Sequence, residues 1–210
     1  MEKLILVGGG GHCKSCIDVI EAEGKYQIEG ILDLPEKLGK KILKYKIIGN
    51  DNDIPKFAKQ GFSFLITVGH LGDSNLRIKL FEEIKKTGEE LPIIVSPSAI
   101  VSKYSTIQEG TIVMHQAIVN ADTKIGENCI INNKALIEHD VEIENNTHIS
   151  TGAIVNGACK VGENVLVGSS SVIKQLIHVK ENTIIGAGSV VVKDITEPGV
   201  YVGSPAKKIK

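Results

Sequence analysis

Hydrophobic residues recur with a period of six between Val95 and Val191. Every sixth residue in this stretch is valine or isoleucine, at seventeen successive positions without exception or insertion. The residue four places after each of these positions is small or apolar through most of the run. A period of six matches neither an α-helix nor a strand that alternates every two residues. It predicts a hexapeptide β-solenoid, in which short strands stack and share one continuous core.

A second period, of eighteen residues, lies over the first. Glycine or asparagine recurs at one phase of it, at Gly110, Asn128, Asn146, Asn164 and Asn182. These residue types adopt a left-handed backbone most easily, so the column predicts a corner that is repeated in every coil. Three hexapeptides therefore form one coil. The cross-section is predicted to be triangular, with about five to six coils stacked at the strand spacing of ~4.8 Å.

The side chains that point outward from the predicted coils divide into three faces, of which two are apolar. The first apolar face consists of Ile100, Ile118, Leu136, Ile154, Val172 and Val190. The second consists of Ile112, Ile130, His148, Leu166 and Ile184, and the polar third of Thr106, Lys124, Glu142, Lys160 and His178. Exposed apolar stripes of this length predict a homotrimer about a three-fold axis, with His148 at the interface. The alternative is a second domain that covers both faces.

Composition and charge exclude several other classes of protein. The 210 residues carry a net charge of −1, which gives no overall electrostatic footprint for nucleic acid or an anionic membrane. We expect a cytoplasmic protein, because no apolar run approaches a membrane span and the chain begins without a signal-peptide pattern.

Cys13 and Cys16 have the spacing of a redox or metal pair, but no second pair or nearby histidine set completes it. We expect no metal.

Residues 1–92 are predicted to form a separate α/β domain, and residues 93–210 the β-helix. Strands and helices alternate in the first of these regions, which predicts a small parallel sheet of the Rossmann-like type. The predicted strands are Lys3–Val7, Ile28–Leu32, Phe64–Val68 and Leu91–Val95, and the predicted helices end near Glu23 and Gly88.

A run of glycines, Gly8 to Gly11, follows the first predicted strand and leads into His12. Glycine lets the backbone approach a ligand closely, and the N-terminus of the following helix favours an anion such as phosphate. Asp33 ends the second strand, where such folds often contact a ribose or a base. Because Cys13 stands where a GxGxxG motif has its third glycine, the turn alone leaves nucleotide binding and a merely tight turn both open. Classical NAD binding is not expected.

His139 is the candidate general base. It lies in the sequence Ile137-Glu138-His139-Asp140, two places after a core position and therefore at a predicted corner. The residues one coil away on either side are Gly157 and Ala121, which predicts open space for a ligand beside the imidazole. Asp140 or Glu138 can hold one ring nitrogen and so raise the basicity of the other, as a general base requires.

These features together resemble the bacterial sugar acyltransferases. The resemblance rests on the Gly-rich turn with His12, the Ile-Glu-His-Asp corner, the hexapeptide ladder and the ending Pro198-Gly199-Val200-Tyr201-Val202-Gly203-Ser204-Pro205-Ala206-Lys207, and it covers essentially the whole chain. The family includes sialic-acid O-acetyltransferases and N-acetyltransferases of nucleotide-linked 4-amino-sugars. The resemblance implies an α/β domain followed by a left-handed parallel β-helix. It also implies a homotrimer with active sites between subunits, acetyl-CoA as co-substrate and no metal.

The resemblance also assigns roles by position. His139 matches the catalytic base, and Asp140 stands where the family commonly has a glutamate that orients it. His148 matches a residue that contacts acetyl-CoA. The positions that match the path of the coenzyme's arm are Gly157, Ser169 and Ala187. Asn132 matches a polar residue near the reaction centre, and the positions that match the nucleotide-sugar site are Gly10, Gly11, His12, Asp33, Gly69 and Asn75.

The function that the resemblance favours is acetyl-CoA-dependent N-acetylation of a UDP- or GDP-linked amino-deoxy-sugar in bacterial glycan biosynthesis. His12 supports it, because O-acetylating members can carry an aromatic residue there. O-acetylation of a sialic-acid-like sugar and a non-catalytic hexapeptide scaffold are the alternatives. A metal-dependent hydratase would need His115, His139 and His148 together. These three histidines stand at different positions of the eighteen-residue coil, so they lie apart within one chain, although contacts across a trimer could bring them together.

Overall fold

The chain forms two compact units, Met1–Val95 and Ser96–Lys210. The structure is a computed structural model and describes residues 1–89 and 91–210. Within those residues, no helix is long and apolar enough to cross a membrane.

The first unit is a five-stranded sheet with α-helices between its strands, as the alternation of strands and helices predicts. Its elements are β1 (Glu2–Val7), α1 (Gly11–Glu23), β2 (Tyr26–Leu32), β3 (Lys41–Ile42), β4 (Tyr45–Gly49), α2 (Ile54–Ala58), β5 (Ser63–Ile66) and α3 (Asn75–Lys85), with short 3₁₀ turns at Pro35–Lys37 and Asp51–Asp53. The strand order is β3-β4-β2-β1-β5. Strands β1, β2, β4 and β5 are parallel, and β3 pairs with β4 in the antiparallel sense.

The interior strand β1, between β2 and β5, is fully buried from Leu4 to Val7, as expected for a parallel strand covered on both faces. Gly24, with φ of 70°, ends α1 in the left-handed conformation that glycine adopts without strain. The carboxyl ends of parallel strands meet at one edge of a sheet. The residues that follow β1, β2 and β5, which include Gly8, Asp33 and Thr67, therefore lie together at that edge.

The second unit is a parallel β-helix of very short strands. Its strands are Ile100–Val101, Thr106–Ile107, Ile112–Val113, Ile118–Val119, Lys124–Ile125, Ile130–Ile131, Leu136–Ile137, Glu142–Ile143, His148–Ile149, Ile154–Val155, Lys160–Val161, Leu166–Val167, Val172–Ile173, His178–Val179, Thr183–Ile185, Val190–Val191, Gly199–Val202 and Lys207–Lys208, preceded by Ile94–Val95. They stack in three sheets, and strands eighteen residues apart pair in register, as in Ile118 with Leu136. The predicted triangular coil is confirmed.

The core and the corners of this β-helix follow the two sequence periods. The positions in the six-residue ladder are all buried from Val113 to Val191. The asparagine and glycine column has positive φ throughout, from 70° at Gly110 to 54° at Asn128. The corner predicted from these residue types is therefore present in every coil.

The second apolar face is less exposed than its sequence predicts. Ile112, Ile130 and His148 point out of the coil, yet they are only 0%, 1% and 5% exposed in the single chain. The prediction of an exposed stripe is wrong for these residues, because periodicity gives the direction of a side chain and not what lies over it. On the first face, by contrast, Ile100 is 64% exposed and the residues from Ile118 to Val190 are half-buried.

Candidate active site

The His139 imidazole is hydrogen-bonded to the next residue along the chain. Its Nδ1 atom lies 2.7 Å from Oδ2 of Asp140. Asp140 has a positive φ of 60°, a conformation that aspartate tolerates better than most residues, and its N–H donates to the Ala121 carbonyl one coil away. An ionised carboxylate only accepts hydrogen bonds, so Nδ1 carries the proton. The basic lone pair is therefore on Nε2.

Charge around the ring favours its protonated form. The hydrogen bond that His139 donates to Asp140 is the main cause that raises the pKa of His139, and the negative charges of Asp140 and Glu138 act in the same direction. The side chains of His139 and Asp140 are 64% and 56% exposed, so substrate can reach both. Glu138 instead accepts a hydrogen bond from Asn120 Nδ2 at 2.9 Å. Of the two acidic residues predicted to hold the ring, Asp140 is the one that does so.

Gly157 lies directly beside the imidazole. A Cβ atom built at Gly157 would be 2.8 Å from Cε1 and 3.0 Å from Nε2 of His139. The ring itself therefore occupies the space that the glycine leaves, and the open space for a ligand lies beside this stack at the same corner. The lack of a side chain at Gly157 thus leaves room for the His139 ring.

A depression of about 340 Å³ opens at this corner. It is lined by Glu138, His139, Asn156, Gly157, Ala158, Gln175 and Leu176. Gln175 and Leu176 are not among the predicted site residues, although the eighteen-residue period leads from His139 through Gly157 to Gln175. Leu176 has a φ of 64° and is 66% exposed, which is unusual for leucine on both counts.

His148 and Asn132 form a second pair, on a different face of the coil. Nδ2 of Asn132 lies 3.1 Å from Nε2 of His148, and Ser150 Oγ lies 3.5 Å from the same nitrogen. His148 is nine residues, or half a coil, from His139. The two residues that the resemblance places at one active site are therefore on opposite sides of the coil in a single chain.

The other residues assigned to the coenzyme path are divided in the same way. Gly157 stacks on His139, whose carbonyl accepts from the N–H of Ala158. Ser169 and Ala187 lie at the corner that follows the face of His148, where the Ser169 carbonyl accepts from the N–H of Gly188. Both are exposed. The residues assigned to the coenzyme path thus occupy two separate corners of one chain.

In the first unit, most residues assigned to the nucleotide-sugar surround one cavity of about 480 Å³. Its lining includes Gly10, Gly11, His12, Asp33 and Gly69, together with Gly8, Gly9, Lys37, Thr67, Val68, Leu71 and Asp73. A Cβ atom at Gly10 or Gly11 would meet nothing within 4 Å, so these two glycines border open space. Asn75 begins α3 beside the cavity, and its N–H donates to Oδ1 of Asp73.

Asp33 is held in place from three sides at the floor of this cavity. Its carboxylate accepts from the N–H of Gly9 at 3.0 Å and of Leu34 at 2.7 Å, and Nζ of Lys37 lies 2.9 Å away. Gly9 has no room for a side chain, since a Cβ atom there would be 2.6 Å from Oδ2 of Asp33. Lys37 is not among the predicted site residues. The signal was its position four residues after Asp33, in the short 3₁₀ turn.

The four cysteines face the protein interior. Cys13 and Cys16 are both 0% exposed, and burial raises the pKa of Cys13 to about 11 and that of Cys16 further. A thiol held so far from ionisation is a poor nucleophile or metal ligand. In the part of the chain that the structure describes, no three histidine, cysteine or acidic side chains are grouped as a metal site requires. His115 instead pairs with Ser96 Oγ at 2.7 Å.

Family models match both units. The PglD N-terminal domain matches residues 3–84, and the bacterial transferase hexapeptide repeat matches residues 104–139 and 140–175. Among solved structures, a histidine-to-asparagine variant of perosamine N-acetyltransferase from Caulobacter crescentus, in complex with CoA and GDP-perosamine, is 30% identical. The match covers 100% of this chain and 98% of that one, with a TM-score of 0.92. The chain belongs to the sugar acyltransferase family.

Two further relatives agree with this assignment. The acetyltransferase domain of PglB from Neisseria gonorrhoeae, in complex with acetyl coenzyme A, is 30% identical over 99% of both chains, with a TM-score of 0.93. The UDP-N-acetylbacillosamine N-acetyltransferase of Bacillus subtilis is 34% identical over 116 residues, which are 54% of this chain and 52% of that protein. The match thus spans about half the length of this curated relative. The predicted family and fold class, including the left-handed β-helix, are confirmed.

Proposed function

We propose that this sugar acyltransferase transfers the acetyl group of acetyl-CoA to the amino group of a nucleotide-linked amino-deoxy-sugar. The observation that carries the proposal is the His139–Asp140 pair, exposed at a corner and seated against Gly157. Relatives that match the full chain are solved with CoA and GDP-perosamine or with acetyl coenzyme A, which supports both substrate classes.

In the proposed mechanism, His139 acts as the general base. The acceptor nitrogen attacks the thioester carbonyl carbon, and its proton passes to Nε2 of His139. The tetrahedral intermediate then collapses, the C–S bond breaks, and CoA leaves as the thiol after taking that proton. A positioned base contributes roughly 10²–10⁴-fold, and alignment of the two substrates contributes much of the rest. The buried cysteines favour this direct transfer over an acyl-cysteine intermediate.

The Gly-rich cavity is proposed to bind the nucleotide-sugar. Gly10 and Gly11 leave open space in front of the N-terminus of α1, where backbone N–H groups and the helix dipole favour phosphate oxygens. Lys37 adds a positive charge at the same cavity, and the Asp33 carboxylate supplies an acceptor for ribose or base. His12, at the start of the helix, completes the polar lining.

We further propose that the active protein is a homotrimer with its active sites between subunits. His139 and the Asn132–His148 pair lie on opposite sides of one coil, so a second copy must supply one of them if both contact the same acetyl-CoA. The first apolar face, which runs from the exposed Ile100 to Val190, is the proposed contact surface. The Ser169–Ala187 corner borders this face, as does the His139 corner.

Product analysis tests the proposed function. The purified protein is incubated with acetyl-CoA and a panel of UDP- and GDP-linked amino-sugars, and the products are examined by mass spectrometry with fragmentation. We expect one acetyl group on a sugar amine in at least one panel member, with release of one CoA thiol. Acetyl found only on a hydroxyl of a free sialic-acid-type sugar would support O-acetylation instead, and the absence of transfer to either class would contradict the proposal.

A further inference from the structure

The most unusual surface beyond the proposed site is a lysine- and leucine-rich segment of the first unit, which shares Lys37 with the Gly-rich cavity. The segment from Leu34 to Lys46, here called the basic hairpin patch, contains five lysines and one glutamate, which give it a charge of +4. The whole chain has a net charge of −1, so the remainder carries −5. The overall charge therefore does not reveal this strongly positive segment.

Hydrogen bonds fold this segment into one surface. The Gly39 N–H donates to the Ile47 carbonyl, and the Ile47 N–H donates back to the Lys40 carbonyl. Lys41 then stands opposite Lys46 across the β3–β4 hairpin, at the edge of the sheet. Like charges directly opposite each other in a strand pair destabilise it. Fold stability alone therefore gives no reason for this pairing.

Three leucines in the patch are exposed among these lysines. Leu34, Leu38 and Leu43 are 53%, 62% and 58% exposed. Leu43 is at the tip of the hairpin with a φ of 52°, where glycine, asparagine or aspartate is normally found. A strained backbone that presents an apolar side chain to solvent points to a function rather than to folding.

Three of the five lysines in the patch are available to a partner. Lys37 is paired with Asp33 and Lys44 with Glu21. Among the residues that the structure describes, none forms an ion pair with Lys40, Lys41 or Lys46, and all three are exposed. Three uncompensated lysines beside three exposed leucines match the composition of surfaces that bind anionic lipid headgroups and insert apolar side chains at the interface.

We propose that the basic hairpin patch docks the protein on an anionic membrane surface. The occupant is a lipid bilayer rather than a protein, because protein interfaces are enriched in arginine and aromatic residues and depleted in lysine. The patch has no arginine, and its one aromatic side chain, Tyr45, is half-buried with its hydroxyl bound to Glu21 at 2.7 Å. Ile42 packs within 3.3 Å of the position of a Gly9 Cβ, so the docked face borders the Gly-rich cavity.

Vesicle co-sedimentation of the full chain tests this proposal. The wild type is predicted to bind vesicles of phosphatidylcholine with about one third phosphatidylglycerol, and to remain in the supernatant with phosphatidylcholine alone or at high salt. The triple substitution Lys40→Glu, Lys41→Glu and Lys46→Glu is expected to weaken binding by about 100-fold or more, since each lysine near an anionic surface contributes about fivefold. The matched control, Lys56→Glu, Lys59→Glu and Lys86→Glu, changes the net charge equally and is expected to bind far better than the patch variant.

A second variant distinguishes a loss of membrane docking from a loss of fold stability. Leu43→Asn replaces leucine with a residue that accepts the left-handed conformation, so its thermal midpoint is expected to equal or exceed that of the wild type. Its binding to anionic vesicles is expected to fall several-fold. Wild-type protein that stays in the supernatant with anionic vesicles would overturn the proposal and leave an acidic protein as the occupant. Equal losses in the patch and control triple variants would overturn it too.

Discussion

The imidazole of His139 lies against Gly157, the residue one coil further along the chain. A Cβ atom at Gly157 would come within 2.8 Å of Cε1 and 3.0 Å of Nε2, so any larger residue must displace the ring. Asp140 fixes the same ring from the other end through its bond to Nδ1. The candidate base is thus positioned by one residue on its own coil and one on the next.

Gly157→Ala is expected to lower kcat by roughly 10–100-fold, because displacement of a catalytic group by about 1 Å is enough for such a loss. The thermal midpoint is expected to change little, since Gly157 does not have a left-handed φ and its corner faces solvent. Steady-state kinetics and a melting curve, measured on the same preparation of each protein, compare kcat and the thermal midpoint of Gly157→Ala with those of the wild type. Unchanged kcat would mean that the ring has no fixed place during the reaction.

Asp140→Asn is expected to move the acidic limb of the pH profile of kcat/KM to lower pH. The base must be neutral, and the bond to Asp140 raises the pKa of His139, so the wild-type protein loses activity at a higher pH than an unassisted histidine would. Removing the carboxylate lowers that pKa and extends activity toward acid, with a lower plateau. If the acidic limb of the kcat/KM profile lies at the same pH in Asp140→Asn as in the wild type, His139 is not the titrating group.

The repeat made the β-helix predictable from sequence in residue-level detail. Because the coil has eighteen residues and no insertion, counting alone placed Leu136 between Ile118 and Ile154 and aligned Gly157 with His139. Counting could not show that Ile112 and Ile130 are buried, because periodicity gives the direction of a side chain and not what lies over it. It also could not show that the ring fills the space beside Gly157, because side-chain rotamers are set by local contacts.

The first unit was predictable at its strands and helices but not between residues 34 and 62. Strands β1, β2 and β5 and helices α1 and α3 lie within a few residues of their predicted positions. The β3–β4 hairpin was missed because its tip carries Leu43 and Lys44 instead of a recognisable turn pair. The role of Lys37 was missed with it, because that role depends on the fold of this segment around Asp33.

Leu136→Lys, in the middle of the first apolar face, is expected to dissociate the proposed trimer and to lower activity at the same time. A lysine there would bury an unpaired charge in the contact surface. Analytical ultracentrifugation at micromolar concentration measures the assembly. The matched control is Thr106→Lys on the polar face, which is expected to leave both mass and activity unchanged. A wild-type protein that sediments as a monomer would contradict the assembly, and so would a fully active trimer of the Leu136 variant.

Asp33→Asn is expected to weaken binding of the nucleotide-sugar by about tenfold or more while acetyl-CoA binding is retained. The substitution removes the charge that holds Lys37 and an acceptor at the Gly-rich cavity. Isothermal calorimetry with each ligand separately makes the distinction, and Asp18→Asn on the exposed side of α1 is the matched control. If Asp33→Asn instead lost affinity for acetyl-CoA and kept affinity for the nucleotide-sugar, the proposal that the Gly-rich cavity binds the nucleotide-sugar would be contradicted.

The central claim is that His139 is the base in acetyl transfer. The most direct measurement is kcat of His139→Ala with acetyl-CoA and the accepted amino-sugar nucleotide, beside His178→Ala on the polar face and after the assembly state has been checked. The account predicts a loss of roughly 10²–10⁴-fold for His139→Ala, with dissociation constants of both ligands nearly unchanged, and wild-type turnover for His178→Ala. Wild-type turnover in an intact assembly of His139→Ala would contradict the proposed mechanism.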